Sequence, residues 1–335
     1  MKVLAAMSGG VDSSVAAALL VEEGHDVTGV TLRLWDNPTD AGCCSVAEID
    51  DARQVANVLG IDHLVWTFVD EFDARVVAPY AAAHAEGLTP NPCIECNRHL
   101  KFGRLLRRAT QLGFDAVATG HHARAVDGRL LRGADPLKDQ SYVLYVLGQA
   151  ELARVLFPVG VMTKADVRAK AAALGLPTAT KPDSQDVCFV TTSGGREALL
   201  ASRIPLHPGR VLDTAGAEVG RVDAVELITI GQRRGLGTGG GARRYALAVD
   251  PVAGTVTVGE AGDLLAASVA LTQLCWVREP VAGAVEIQTS AHGDAVAATF
   301  DGTTAVFDEP QRRVAPGQSV VLYRGDEVLG GGIAT

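Results

Sequence analysis

The sequence predicts an α/β chain: a parallel sheet covered by helices on both faces, followed by two small β-rich units. Three observations carry this. Apolar runs of strand length alternate with helix-period segments through the first half of the chain. A glycine-containing turn separates the first of these runs from the first helix. Beyond Gly175 helical periodicity fades, and short β-branched runs with frequent Gly and Pro take over.

Taken in order, Val3 to Met7 is an apolar run, Ser13 to Glu23 a helical pattern and Val27 to Trp35 a β-rich run, which together make one βαβ unit. The pattern recurs as a helix from Val46 to Leu59, a strand from His63 to Val69 and a helix from Phe72 to about Glu86. A basic helix from Asn97 to Leu112 and a strand from Asp115 to Thr119 complete the α/β part. The later β runs are Glu226 to Ile230, Tyr245 to Val249, Thr255 to Val258, Val296 to Phe300 and Ser319 to Tyr323. The expected domains are residues 1–195, 196–260 and 261–335, and a chain of 335 residues accommodates them.

With 47% hydrophobic and 21% charged residues, and a mean hydropathy of +0.17, the composition is that of a globular protein and excludes bulk disorder. The longest apolar stretches, such as Val15 to Val21, fall short of the ~20 residues of a bilayer crossing, and no signal-peptide pattern precedes Ser8. A cytoplasmic protein without a membrane partner is expected. The net charge of −9 argues against nucleic-acid binding through bulk charge but leaves room for local patches. One such patch, Arg98, Lys101, Arg104, Arg107 and Arg108, reads equally as a solvated helix face or an RNA contact. Six cysteines without a secretory signal read as thiols for chemistry or metal rather than a disulfide framework.

Ser8-Gly9-Gly10-Val11-Asp12-Ser13-Ser14 lies between strand and helix, where backbone N–H groups and the helix dipole hold phosphate. No Gly-Lys-Ser/Thr follows, so it is not a Walker A loop. It matches the PP-loop motif SGGxDS, which in ATP pyrophosphatases cradles the departing pyrophosphate, with the Asp near Mg²⁺. Residues 235–240 match G-x-G-x-x-G in spelling alone, since a strand follows instead of a helix. Cys93 and Cys96 form a CxxC pair just before the basic helix, where cations and a helix start favour thiolate. On spacing alone, a redox pair, a zinc half-site and a structural pair all remain open, while Asn97 after Cys96 excludes a c-type haem site. Cys188 sits in a polar loop, Cys43 and Cys44 read as loop residues, and Cys275 reads as core. Gly120-His121-His122 ends a strand at the sheet edge where ligands bind in open α/β folds, and Lys138 to Tyr142 form a polar cluster.

Together these strings resemble the tRNA-specific 2-thiouridylase family: AMSGGVDSS (6–14), VTGVTLRLW (27–35), TPNPCIECNRHLKFG (89–103), ATGHHAR (118–124), LLRGADPLKDQSYVLY (130–145), LFPVG (156–160), KPDSQDVCF (181–189), GQRRGLG (231–237) and the closing residues 307–334. The resemblance implies a PP-loop ATP-pyrophosphatase domain, a small central domain and a C-terminal β-barrel. It implies that ATP is held by Ala6, Met7, Ser8, Gly9, Gly10, Val11, Asp12, Ser13, Leu32 and Gly120, with the phosphates on Ser8 to Ser13 and the adenosine near Ala6, Leu32 and Gly120. It implies catalytic Cys96, Cys188 and Asp12, and tRNA contacts at Asn91, Pro92, Cys93, His121, Lys138, Asp139, Gln140 and Gln318. Three positions depart from the family pattern: Leu32 where Met is common, Ser290-Ala291-His292 where a basic-aromatic stretch is usual, and Cys93 where other members have Asp.

The resemblance implies adenylation of the 2-oxygen of the wobble uridine, then sulfur attack, with ATP and Mg²⁺ required and with the tRNA anticodon stem-loop and a persulfide donor protein as partners. Cys188 would carry the persulfide and Cys96 would resolve it as a Cys96–Cys188 disulfide. Because Cys93 adds a third thiol, Cys93, Cys96 and Cys188 as ligands of a 4Fe-4S cluster form the competing expectation. A PP-loop ligase acting on a small carbonyl compound, or a non-catalytic metal-holding RNA-binding module, are the alternative functions.

Overall fold

In a computed structural model of the chain the described residues are 1–35, 46–183, 187–192, 194–239 and 243–335. Cys43, Cys44 and residues 184–186 of the polar loop before Cys188 lie outside them.

The expected strand–helix alternation builds β1 (Lys2–Ala6), α1 (Val11–Glu22), β2 (Asp26–Arg33), α2 (Val46–Leu59), β3 (Asp62–Thr67), a helical stretch α3 over residues 69–85, a second, α4, over residues 92–111, and β4 (Ala116–Ala118). After them come a hairpin of β5 (Ala123–Val126) and β6 (Arg129–Arg132), then β7 (Val155–Leu156) and α5 (Lys164–Ala173). The parallel sheet has the order β3-β2-β1-β4-β7. Successive residues of β1 face opposite layers: Leu4 packs with Val30, Leu32 and Val117, and Val3 and Ala5 pack with Val15 and Val55 of α1 and α2. This alternation on both buried faces is why β1 reads as a continuous apolar run.

Helix α4 starts at Pro92, five residues earlier than the basic pattern indicates, so both Cys93 and Cys96 lie within it. Pro92 occupies the first helical position, and Asn91 caps it by accepting from the Cys93 N–H at 3.0 Å. From Cys96 to Leu105 the turns widen to π type. Gly103 permits this, because a Cβ there would lie 2.7 Å from the Arg98 carbonyl oxygen five residues back.

The central unit has β8 (Gly209–Leu212), β9 (Glu218–Val222), β10 (Tyr245–Asp250) and β11 (Thr255–Gly259) in the order β10-β11-β8-β9. The strand expected from Glu226 to Ile230 is instead a single 3₁₀ turn, Val225–Leu227. Its cause is the buried Glu226 carboxylate, which turns inward to accept from the His207 backbone N–H at 3.0 Å and pair with its Nδ1 at 2.8 Å.

β12 (Leu265–Trp276), β13 (Gly283–Gln288), β14 (Val296–Phe300), β15 (Thr304–Arg312), β16 (Ser319–Arg324) and β17 (Glu327–Ala334) form the C-terminal barrel, closed by pairing of β12 with β17. The β5–β6 hairpin of the N-terminal part adds to the same sheet through β17, pairing Glu327 with Leu131 and Val328 with Leu130. Val321, Tyr323 and Val328 of the barrel share a core with Tyr142, Leu144 and Leu147. Buried tyrosine hydroxyls stitch this seam: Tyr142 donates to the Ser319 carbonyl at 2.7 Å, and Tyr323 meets the Ser141 hydroxyl at 3.2 Å.

Candidate active site

The turn from β1 into α1 is shaped by two glycines. Gly9 has φ +74°, and a Cβ there would lie 2.5 Å from the Glu48 carbonyl oxygen, so both its conformation and its surroundings exclude a side chain. Gly10 stands at the helix N-cap and brings no side-chain cap. The hydroxyls of Ser13 and Ser14 both donate to the Gly10 carbonyl, at 3.0 and 2.8 Å, while the Ser13 Oγ also accepts from the Ser8 N–H at 3.1 Å. The first-turn N–H groups of α1 therefore point out of the loop without a side-chain cap, an arrangement suited to phosphate oxygens.

Gly120, at the end of β4, closes the other side. A Cβ on it would lie 2.6 Å from the Ser13 backbone nitrogen and 2.7 Å from the Asp12 carbonyl carbon. Ala6, Leu32 and Gly120 come from the carboxyl ends of the adjacent strands β1, β2 and β4, the edge where open parallel sheets bind nucleotides. Met7 differs: its side chain is buried in the layer beneath, and its carbonyl accepts from Thr31 Oγ1 at 2.7 Å.

Asp12 is held from two sides. Lys164 Nζ lies 2.7 Å from each of its carboxylate oxygens, and His122 Nε2 lies 3.1 Å from Oδ1. Burial would raise the Asp12 pKa, but hydrogen bonds from His122 and Lys164 outweigh it and hold the carboxyl below its ordinary value. Asp183 accepts from Lys164 at 2.9 Å, Lys138 at 2.8 Å and Arg168 at 2.6 Å. Burial opposes its ionisation too, and the lysines overcome this, lowering its pKa to about 2. Lys181 reaches the loop itself, donating to the Gly9 carbonyl at 3.0 Å and to Asp51 at 2.7 Å.

The thiols lie on the opposite face of the sheet. Cys96 and Cys188 are both half-buried and pack on the core cluster formed above β1 and β2. Cys188 opens α6 (Cys188–Thr192), whose Phe189 meets Phe72 edge-on at 5.5 Å and Tyr80 at 5.7 Å. The Tyr80 hydroxyl pKa is raised chiefly by burial, with the charge of a Cys93 thiolate adding to it, which places Cys93 beside the same aromatic group. Cys93 is exposed. Cys275 is half-buried rather than fully in the core, and accepts from Arg98 at 3.5 Å.

Three matches with known proteins cover almost the whole chain. Residues 1–192 match the tRNA methyl transferase HUP domain, 197–260 the tRNA methyl transferase PRC-barrel domain, and 268–334 the aminomethyltransferase beta-barrel domain. The tRNA-specific 2-thiouridylase MnmA of Chloroflexus aurantiacus is 48% identical over 98% of this chain and 97% of its own length. That of Mycolicibacterium smegmatis is 48% identical over 98% of each chain. The chain belongs to the tRNA-specific 2-thiouridylase family. A solved U34-tRNA thiolase, NcsA from Methanococcus maripaludis with its 4Fe-4S cluster, is similar only at 19% identity and a TM-score of 0.38, covering 59% of this chain and 63% of that one, too distant to bear on the site.

The positions at which the 2-thiouridylase resemblance implies tRNA contacts fall into two groups. Asn91, Pro92 and Cys93 form the start of α4, and Gln318 belongs to the barrel turn that packs on the residues just before them: Thr89 N–H donates to the Pro316 carbonyl at 2.8 Å, and a Cβ on Gly317 would lie 2.9 Å from Leu88 Cβ. The side chains of the other group bond to neighbours within the protein, some of them enclosed and others at the surface. His121 is buried between Phe102 and Phe157 with Nδ1 2.7 Å from Thr119 Oγ1, and burial holds its pKa well below 6.5. The Asp139 side chain, 6% exposed, accepts from Arg132, from Ser141 Oγ and from the N–H groups of Gly133 and Ser141. Gln140 is exposed, and its side-chain oxygen accepts from the His122 N–H at 2.9 Å. Lys138 faces Asp183.

Sequence reasoning left His122, Lys164, Lys181 and Asp183 out of the ATP site. Lys164 follows Thr163, which reads as an ordinary helix cap; the one local sign against that reading is a cation in the first turn, where the helix dipole disfavours it. The basic patch is also more internal than either of its readings. Arg104 lies 5.5 Å over Phe68 and pairs with Glu71, Arg108 lies 4.4 Å over Trp66, and Arg107 remains exposed.

Proposed function

We propose that this chain thiolates the wobble uridine of tRNA at its 2-position, using ATP to activate the 2-oxygen and a cysteine persulfide to supply the sulfur. The observation that carries this reading is the placement of one segment against both halves of the chemistry. Lys181 and Asp183 are bonded to the phosphate-loop residues and their partners, and Cys188, five residues beyond Asp183, packs on the same core as Cys96.

The 2-oxygen of uracil is a poor leaving group, so substitution needs prior activation. The 2-oxygen attacks the α-phosphorus of ATP, the bond to the bridging oxygen breaks, and pyrophosphate leaves with the electron pair. The N–H groups at the start of α1 hold its oxygens, and Gly120 allows the close approach of strand and loop. Mg²⁺, when bound, supplies charge neutralisation along the triphosphate. Asp12 fits as its carboxylate ligand, since Mg²⁺ in such sites takes one or two carboxylates along with phosphate oxygens. The terminal sulfur of a Cys188 persulfide then attacks the 2-carbon and AMP departs. The Cys96 thiolate attacks Cys188 Sγ, which leaves the transferred sulfur on the base and closes a Cys96–Cys188 disulfide. A dithiol reductant returns both thiols.

Cys93, Cys96 and Cys188 as ligands of a 4Fe-4S cluster are the competing arrangement. No step is derived through a cluster. The partners of this reading are the tRNA anticodon stem-loop, whose target base must leave its stack to reach Asn91–Cys93, and a protein that delivers persulfide sulfur. ATP and tRNA as substrates put the reaction in the cytoplasm, and no helix among the described residues is long and apolar enough to cross a membrane.

The test is to incubate the chain with ATP, unmodified tRNA and a persulfide donor. Pyrophosphate release that requires tRNA, with 2-thiouridine recovered from the digested RNA, is expected. Pyrophosphate release driven by a small carbonyl compound without tRNA would overturn the reading.

A further inference from the structure

We propose that Phe189, seated in a socket of Trp35, Phe72 and Tyr80, is the positioning residue that holds Cys188 in place for sulfur transfer; this rests on the persulfide reading above. Cys188 opens α6, a helix of five residues, too short to keep its own orientation. Its neighbour Phe189 is 2% exposed, while Cys188 itself is half-buried. Phe189 meets Phe72 at 5.5 Å and 79° and Tyr80 at 5.7 Å and 89°, both edge to face, and Trp35 at 6.2 Å. Edge-to-face pairs are directional in a way that aliphatic contacts are not. Consecutive Cα atoms are about 3.8 Å apart, so a ring fixed at 189 fixes the backbone that carries the thiol at 188.

The socket is itself built by an irregularity. Phe72 and Tyr80 are eight positions apart in α3. On an ordinary helix of about 3.6 residues per turn they would point about 80° apart. The turns from Asp73 to Val77 are of π type, and their greater width takes up about one residue, which brings the two rings to the same side. Both then reach Phe189. Such turns are rare and recur at functional sites. Trp35 forms the other wall, 6.4 Å from Phe72. The Arg203 guanidinium lies 5.7 Å over its indole and pairs with Asp73 at 2.6 Å, which ties this wall to the first residue of the π turn. The four rings lie in or against the core on the thiol side of the sheet, so the socket acts on sulfur transfer and not on adenylation. A displacement of about 1 Å at a reacting atom can cost about a hundredfold in rate. Phe189 makes and breaks no bond in the step.

The experiment compares wild type with Phe189→Leu, Trp35→Ala and Trp35→Phe. Single-turnover rates of tRNA-dependent pyrophosphate release and of 2-thiouridine formation are measured with glutathione persulfide as the sulfur source. In a separate measurement without ATP or tRNA, diamide takes two electrons and two protons from the thiol pair, and closure of the Cys96–Cys188 disulfide is followed by peptide mapping. Phe189→Leu should release pyrophosphate within about twofold of wild type, form 2-thiouridine about tenfold or more slowly, and close the disulfide more slowly by a similar factor. Trp35→Ala, at a half-buried position, should show the same separation, and Trp35→Phe, which keeps a ring, should recover most of the loss. A merely structural role would slow pyrophosphate release and sulfur transfer together. A folded Phe189→Leu with wild-type rates of sulfur transfer and disulfide closure overturns the proposal, as does an equal slowing of pyrophosphate release. If Phe189→Leu does not fold, Trp35→Ala decides on the same two criteria. A wild type that closes no Cys96–Cys188 disulfide would remove the persulfide reading alone, because the ratio of 2-thiouridine formation to pyrophosphate release still decides the socket.

Discussion

The guanidinium of Arg132 lies 3.7 Å over the ring of Tyr323. Arg132 ends the hairpin contributed by the N-terminal part, and Tyr323 is a fully buried residue of barrel strand β16. The same guanidinium donates to Asp139 at 2.9 Å and to Gln288 of the barrel at 3.0 Å. Asp139 in turn bonds Ser141, which meets the Tyr323 hydroxyl. A closed set of charge, aromatic and hydroxyl contacts thus fixes the barrel against the ATP-binding part, with Asp139 and Ser141 flanking Gln140, whose side chain contacts His122.

Asp139→Ala should therefore act mainly on stability. It leaves the Arg132 charge in a largely enclosed site without its carboxylate, at a cost of about 3 kcal/mol. Thermal unfolding should show a drop of several degrees, whereas a loss of tRNA affinity in a protein that melts like wild type would place Asp139 at the RNA surface instead.

Gly120→Ala should weaken nucleotide binding with little change in melting temperature. The added methyl group meets the backbone of Ser13 and Asp12, which cannot rotate away as a flexible side chain can, so the loop itself must move. A loss of about tenfold or more in ATP affinity is expected, measured by titration; unchanged affinity would show that nucleotide does not use this face of the loop.

Cys188→Ser should stop 2-thiouridine formation while tRNA-dependent pyrophosphate release continues for at least one turnover, because activation precedes sulfur attack. Cys96→Ser should allow the persulfide to form on Cys188 and block its resolution. If Cys188→Ser also abolishes pyrophosphate release, Cys188 supports tRNA docking or the fold rather than carrying sulfur.

The pH dependence of stability should carry the mark of His84. It is buried and stacks edge-on against Tyr80 at 4.7 Å. Burial, assisted by the charge of Arg196, lowers its pKa from 6.5 to about 4. The unfolded chain takes up this proton below pH 6.5 while the folded chain resists until about pH 4, so stability is full above 6.5 and declines across that window. The decline amounts to about 3 kcal/mol at its acid end. His84→Asn should flatten the fall in melting temperature between pH 6.5 and 4.5; a wild-type slope retained in this variant would assign the acid sensitivity to other groups, such as the buried His121.

The sequence by itself determined the strand–helix alternation, the position of the phosphate loop and the family, because apolar period and glycine chemistry are local properties. Even the early start of α4 had a local sign, since Asn91 followed by Pro92 is a cap and a first helical position. The glycine requirement at Gly120 is different in kind: its φ is unremarkable, and only the approach of the α1 loop, 107 positions away at Ser13, forbids a side chain.

The tertiary structure alone decided where the charges of the site go. Lys164 meets Asp12 across 152 positions and Arg132 meets Gln288 across 156. Period and propensity state which face of an element is buried, but not which distant carboxylate an ammonium on that element will reach. For the same reason the residues from Lys138 to Tyr142 read in the sequence as one polar cluster with no partners assigned by local pattern, and they divide in the structure. Asp139, Ser141 and Tyr142 serve the seam with the barrel, Lys138 serves Asp183, and Gln140 serves His122. Each of these partners is set by the packing of barrel, hairpin and sheet, which brings together groups that no local pattern relates.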